Sequence, residues 1–360
     1  MYLLCCYAEF NCIIEYCEKS VDDIEQFKKE FGVYYVCDDI EKSDVDILKS
    51  DVTIKLMKKA KANSNEKFEE STRVRIHSSH SRNIKYLLDG SIHTQKDALQ
   101  HALLKEYNDK AEYFIEGSNT IVNVSVKNSY MEIIGDDIYN DLVYIYESLL
   151  GAFVETIGGI ALHAASCSLN EKGIIICGES GAGKTTLLFD LINKLNAKFH
   201  SNDRLIVFND PKKDKLTSYS IPIPVNVPIK TMRAMDKWKD RDVVKKAEDN
   251  TKIRFKVNEI PILFSNKLDY EIEVNYTILV KYNSSEPKVE RISAEEILQE
   301  IELLTPYDEC HPKWLPLFKK DLKEREVSDE FLKWLEKITI LRISGNSHIS
   351  ALEEVMETFS

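Results

Sequence analysis

The sequence predicts an α/β protein in two parts: a β-rich α+β accessory domain over residues 1–135, then an α/β domain over residues 136–360 organised around a glycine-rich loop. Three observations carry that expectation. The apolar run "GIIIC" feeds directly into "GESGAGKTT", and Leu187, Leu188, Leu191, Ile192 and Leu195 then recur on one helical face, so strand, tight loop and amphipathic helix follow in order. Residues 113–116, 120–126 and 130–134 read as short strands separated by Gly117-Ser118-Asn119 and Lys127-Asn128-Ser129, which predicts an antiparallel meander. A length of 360 residues, 43% apolar and 30% charged, is enough for two cores.

In chain order, "YLLCCYAEF", "VDDIEQFKKEF" and "VYYVC" predict strands around one short helix. The polar stretch "MKKAKANSNEKFEESTRVRIHSSHSRN" predicts a mobile loop. Beyond the meander, Asp136 and Asp137 stand where a helix N-terminus favours acidic groups, and the apolar sequence runs to Ile157 before Gly158-Gly159 ends it. The segments "IALHAASCSL" and "GIIIC" predict two strands, and after the loop helix "KFHSNDRLIVFND" predicts strand, short polar interruption, strand. The tail closes with a helix "DEFLKWLEKI", a strand "TILRIS" and "SALEEVMETF", where Ser350 and Glu353 form a capping box.

Composition excludes several functions. A net charge of −12 argues against broad binding to nucleic acid or to an anionic membrane, since both require surplus Lys and Arg. Residues 230–256 are a local exception, read either as a solvated face or as a patch for an acidic partner. The longest apolar run is interrupted by Glu147, Glu155 and His163, so no membrane span is expected. "MYLLCCYAEFNC" lacks the features of a secretory signal, and a cytoplasmic location is expected. Eight cysteines without a C-x-x-C pair predict reduced thiols rather than a metal framework.

Gly178, Glu179, Ser180, Gly181, Ala182, Gly183, Lys184, Thr185 and Thr186 complete the G-x-x-x-x-G-K-[ST] pattern. Such glycines let successive backbone N–H groups face phosphate oxygens, while the following helix adds its positive end. Lys184 is thereby predicted to reach the outer phosphates of ATP, and the Thr185 hydroxyl to ligate Mg²⁺. A transporter-type ATPase needs a glycine-rich signature downstream, yet no glycine occurs between Lys184 and Ser344. The same gap excludes the D-x-x-G switch of a GTPase, although Asn266-Lys267-Leu268-Asp269 matches a guanine reader.

Three elements in order, His163 in "ALHAASCSL", the loop, and "SNDRLIVF", resemble the catalytic core of the HPr kinase/phosphorylase family over about residues 137–210. The resemblance implies a P-loop kinase core of that type. It implies Asp203 as the base that takes a proton from the attacking hydroxyl, with His163 beside it and Lys184 on the phosphates. Arg204 is read either as a brace for a phosphate or Asp203, or as a structural ion pair. Asn202 stands where the family has an aspartate, and the family's second glycine-bearing signature has no counterpart. The expectation is forward transfer from ATP to a hydroxyl, most simply serine of a peptide or protein acceptor, with no nucleic acid or membrane partner. A small-molecule kinase and a non-catalytic ATP-binding regulator remain open, as do a homo-oligomer and the second Mg²⁺ ligand, for which Glu259, Asp308 and Glu309 are candidates.

Overall fold

The computed structural model describes residues 1–7, 10–32, 36–45, 48–59, 68, 70–75, 83–88, 91–96, 101–136, 138–156, 159–179, 181–210, 214–221, 223–236, 238–249, 251–265, 267–282, 286–304 and 329–345. They form two compact units. One gathers the described residues of 1–82 and 96–157, the other those of 83–95 and those following 157 up to 304, with 329–345.

The first unit is a nine-stranded sheet in the order Val36–Ile40, Tyr2–Tyr7, Phe10–Glu15, Val52–Lys58, Tyr130–Gly135, Thr120–Ser125, Lys110–Ile115, His101–Tyr107, Thr72–Arg75. Val52–Lys58 runs parallel to both its neighbours, and the meander is antiparallel as expected. Its turns use Asn119 and Ser129 at φ of 57° and 47°, the left-handed region that short polar residues tolerate. The stretch at the N-terminus, read as one strand, is a hairpin in which Cys5 stands opposite Cys12. Thr72–Arg75, inside the stretch expected to be a mobile loop, pairs with His101–Tyr107.

Helix Val21–Phe31 buries Ile24, Phe27 and Phe31, and helix Tyr139–Thr156 buries Leu142, Ile145, Tyr146 and Leu149. The Tyr146 ring lies 5.8 Å from that of Phe10 and 5.4 Å from that of Phe27. This moves the domain boundary. The sequence assigns the second helix to the domain beginning at residue 136, but its apolar face is covered by the first unit. Periodicity marks a buried face without saying which sheet buries it.

The second unit is built on a mixed sheet whose path runs Ile160–Leu162, Leu205–Asp210, Lys215–Ser220, Glu271–Tyr282, Lys172–Cys177, Ala165–Leu169, Lys198–Ser201. Thr339–Gly345 also pairs in parallel with Glu271–Tyr282, and Lys288–Arg291 pairs with Thr339–Gly345. In Lys172–Cys177 every residue from Gly173 is buried, as an unbroken apolar run requires of a strand covered on both faces. Helices Ala294–Leu304 and Asp329–Leu335 add Ile297, Trp334 and Leu335 to the core around Ile175 and Cys177. Helix Lys184–Leu195 buries Leu187, Leu188, Phe189 and Leu191 and packs on strands Ala165–Leu169, Lys172–Cys177 and Lys198–Ser201.

A four-stranded sheet, Val225–Pro228, Lys252–Phe255, Asn83–Leu88, Ser91–Lys96, belongs largely to this second unit. The early segment 83–95 therefore joins the later unit, a return across the chain that no local pattern encodes. "SALEEVMETF", with Ser350 and Glu353, lies outside the described residues. Among the described residues no helix is long and apolar enough to cross a membrane.

Candidate active site

One interruption in the second sheet brings His163 and Asp203 together. The segment "IALHAASCSL" is not one strand: Ile160–Leu162 pairs with Leu205–Asp210, whereas Ala165–Leu169 pairs with Lys198–Ser201. Leu162 stands opposite Leu205, and Ser166 opposite Ser201. His163 and Asp203 occupy the two facing bends between those registered pairs, so the antiparallel pairing itself sets them side by side. Nε2 of His163 lies 2.8 Å from Oδ1 of Asp203 and donates to it. Both side chains reach solvent, 33% and 44% exposed.

The glycine loop follows the central strand. Gly178, Gly181 and Gly183 have φ of 149°, 88° and 102°. At Gly178 an added Cβ would stand 2.6 Å from the carbonyl oxygen of Val280, so both its dihedral and its neighbour exclude a side chain there. Leu187 N–H donates to Gly183 O at 2.9 Å, which opens the helix and leaves the N–H groups of Lys184, Thr185 and Thr186 without intrahelical acceptors. Among the described residues the N-cap position, Gly183, offers no side-chain cap, and no acidic residue lies in the first turn. Lys184 is buried, and its ammonium donates to the carbonyls of Gly178 and Glu179 at 2.6 and 3.2 Å. Helix-start N–H groups without intrahelical acceptors, glycine dihedrals and an ammonium whose acceptors among the described residues are carbonyls are the donor set that suits a phosphate chain.

The two halves are electrically joined. Burial lowers the Lys184 pKa, while the negative charge of Asp203 opposes that shift. Burial raises the Asp203 carboxyl, but the hydrogen bond from His163 and the charges of His163, Arg204 and Lys184 outweigh it, leaving Asp203 below its ordinary value. Asp203 is thus an ionised carboxylate near the loop lysine. Cys177, Lys252 and Val280 complete these surroundings, and sequence reasoning named none of them individually; Lys252 does fall in the basic stretch 230–256.

The remaining sequence candidates separate clearly. Glu179 and Thr186 are exposed, Ala182 is buried, Thr185 is half-buried, and Ser180 lies outside the described residues. Among the described residues no three His, Cys, Asp or Glu side chains cluster to hold a metal. Glu259 accepts the Lys256 N–H at 2.7 Å and so caps a short turn, while Asp308 and Glu309 lie outside the described residues. Much of the basic stretch is neutralised locally, through Arg233–Asp249, Lys239–Asp236, Lys245–Asp240 and Lys246–Asp242. In the guanine-reader match, Asn266 lies outside the described residues, Lys267 donates to Asn196, and Asp269 accepts from Ser168 and Lys198. Those contacts tie strand Lys198–Ser201 into the sheet.

The buried Asn202 amide oxygen, beside Asp203, has no hydrogen-bond partner among the described residues. No family model matches the sequence, and no curated protein sequence does. Among solved structures, the HPr(Ser) kinase/phosphatase from Coxiella burnetii is similar at a TM-score of 0.29 and 13% identity, the match covering 55% of this chain and 95% of that one.

Proposed function

We propose that the second unit is an ATP-dependent phosphotransferase that moves the γ-phosphoryl group to a hydroxyl, most simply serine of a peptide or protein. The observation that carries this reading is the ionised Asp203, oriented by His163 at 2.8 Å and coupled electrostatically to Lys184 of the glycine loop. The loop backbone and Lys184 hold the phosphates, and Mg²⁺ at the Thr185 hydroxyl would supply charge neutralisation when bound. Asp203 accepts the proton of the attacking hydroxyl as its oxygen bonds to the γ-phosphorus. The bond from that phosphorus to the bridging oxygen breaks, and ADP leaves. His163 keeps the carboxylate aimed at the hydroxyl.

The test is transfer of terminally labelled phosphate from Mg-ATP to acceptors in an extract of the source cells, comparing the native chain with Lys184→Ala and Asp203→Asn. Label in a discrete peptide or protein band with the native chain alone supports the reading; label in a small molecule redirects the acceptor class. No label anywhere, with native and Asp203→Asn chains binding ATP equally, overturns transfer in favour of a nucleotide-dependent regulator.

A further inference from the structure

Outside that site, the first unit holds a row of thiols. Cys12 stands opposite Cys5, and Cys5 opposite Cys37, on three neighbouring antiparallel strands. Directly opposed residues project from the same face of a sheet, so these three share one face while Cys6, the next residue along, takes the other. The sulfurs of Cys5 and Cys37 are 3.8 Å apart. Cys5 and Cys12 are fully buried, whereas Cys37 is partly exposed on the edge strand Val36–Ile40.

We propose that Cys37 and Cys5 are a redox-sensitive pair that closes a cross-strand disulfide when a peroxide reaches the sheet edge. This is independent of phosphoryl transfer in the other unit. The asymmetry of the pair assigns the roles. A hydrogen bond with Cys5 lowers the Cys37 thiol, burial opposes, and the Lys28 ammonium assists against the repulsion of Asp38 and Asp39. Cys5 is raised by its hydrogen bond with Cys37 and by burial. Cys37 is therefore the attacking thiolate and Cys5 the resolving thiol.

The thiolate sulfur of Cys37 attacks one peroxide oxygen; the O–O bond breaks, and the departing hydroxide takes a proton to become water, leaving a sulfenic acid. The sulfur of Cys5 then gives up its proton and displaces the sulfenic oxygen, which leaves as a second water while the S–S bond forms. Two thiols lose two electrons and the peroxide gains them. The sulfurs must approach by about 2 Å to reach bonding distance, a displacement within the range of side-chain rotation on directly opposed residues. Cys12 cannot substitute, because it lies two strands from Cys37, about 10 Å, and a disulfide spans about 7 Å at most between Cα atoms.

The test uses the full chain, reduced, treated with hydrogen peroxide, alkylated and mapped by peptide mass. The expected product is a monomer in which the peptides of Cys5 and Cys37 are joined and two hydrogens are lost, reversed by dithiothreitol. Cys37→Ser abolishes the link; Cys5→Ala leaves a Cys37 sulfenic acid that dimedone traps. Should Cys5→Ala fail to fold, Cys37→Ser at the partly exposed position still decides the matter. Oxidation confined to the exposed Cys17, a link to Cys12, or thiols protected by a co-purified zinc ion would each overturn the assignment.

Discussion

Each unit contains a strand that ends, turns and starts a helix, and the two turns are built for opposite outcomes. In the first, Phe10–Glu15 passes through Tyr16 to Ser20 into helix Val21–Phe31; in the second, Lys172–Cys177 passes through the glycine loop into helix Lys184–Leu195. Both strands have a parallel neighbour. The first turn has no glycine, and Asp22 and Asp23 fill the opening turn of its helix, with Lys58 2.8 Å from Asp23. The chain itself neutralises that helix end. The second turn has three glycines at positive φ, no acid in the helix's first turn, and a lysine whose partners are carbonyls. Its positive end meets no acid of its own first turn. A parallel strand followed by a helix is therefore not a site by itself; the residues of the turn decide whether the helix end is closed or open.

The largest test of that contrast is chemical. Asp203→Asn should lower phosphoryl transfer by roughly 100- to 10,000-fold while ATP binding persists, the range expected for loss of a positioned base. Lys184→Ala should lose both. Measured turnover that survives Asp203→Asn would remove Asp203 from the chemistry.

Next in size is a pH effect confined to the second unit. His200, on strand Lys198–Ser201, is fully buried: its Nδ1–H donates to the Asp269 carbonyl at 2.7 Å and its Nε2 accepts from Ser218 at 3.1 Å. Burial lowers its pKa from 6.5 to about 4, against the hydrogen bond and charge of Asp269. Below pH 6.5 the unfolded chain binds a proton that the folded chain refuses, so stability is full above that pH and falls through the window to about 4. The loss by the lower limit is ~3 kcal/mol. Urea unfolding followed by tryptophan fluorescence should show this slope, and His200→Asn should flatten it.

Gly178→Ala tests the loop directly. With φ of 149° and the Val280 oxygen 2.6 Å from the added Cβ, the loop must shift, at a cost of about 2 kcal/mol and with loss of ATP affinity. Isothermal titration and thermal unfolding measure both. The smallest effect belongs to the closed turn: Asp23→Ala should cost about 1–2 kcal/mol in the first unit, by removing a carboxylate from a helix N-terminus and from Lys58, with transfer unchanged. A transfer defect in Asp23→Ala would erase the distinction between the two turns.

What the sequence disclosed follows the range over which each signal acts. The glycine loop and its helix were legible because strand, glycines and periodic leucines are contiguous. The meander was legible through its turn residues. The domain boundary was not, since helix Tyr139–Thr156 shows only that it has a buried face, and residues 83–95 join a distant strand. His163 and Asp203 were named through a resemblance, but their meeting depends on two bends across one strand pair, and "IALHAASCSL" carries no local mark of its bend. The row of cysteines was visible as a count but not as a row, because register alone aligns them.

The facing bends at His163 and Asp203 also set which mutations the pair can survive. Each residue is held by a registered contact on either side, Leu162 with Leu205 and Ser166 with Ser201. Conservative substitutions along those strands leave the alignment intact. Inserting or deleting one residue in either bend shifts one partner relative to the other and turns the adjoining side chains to the opposite face of the sheet. In descendants of this chain the pair should drift freely in its surroundings yet keep the spacing between its flanking strands, and a single codon gained or lost there would end it.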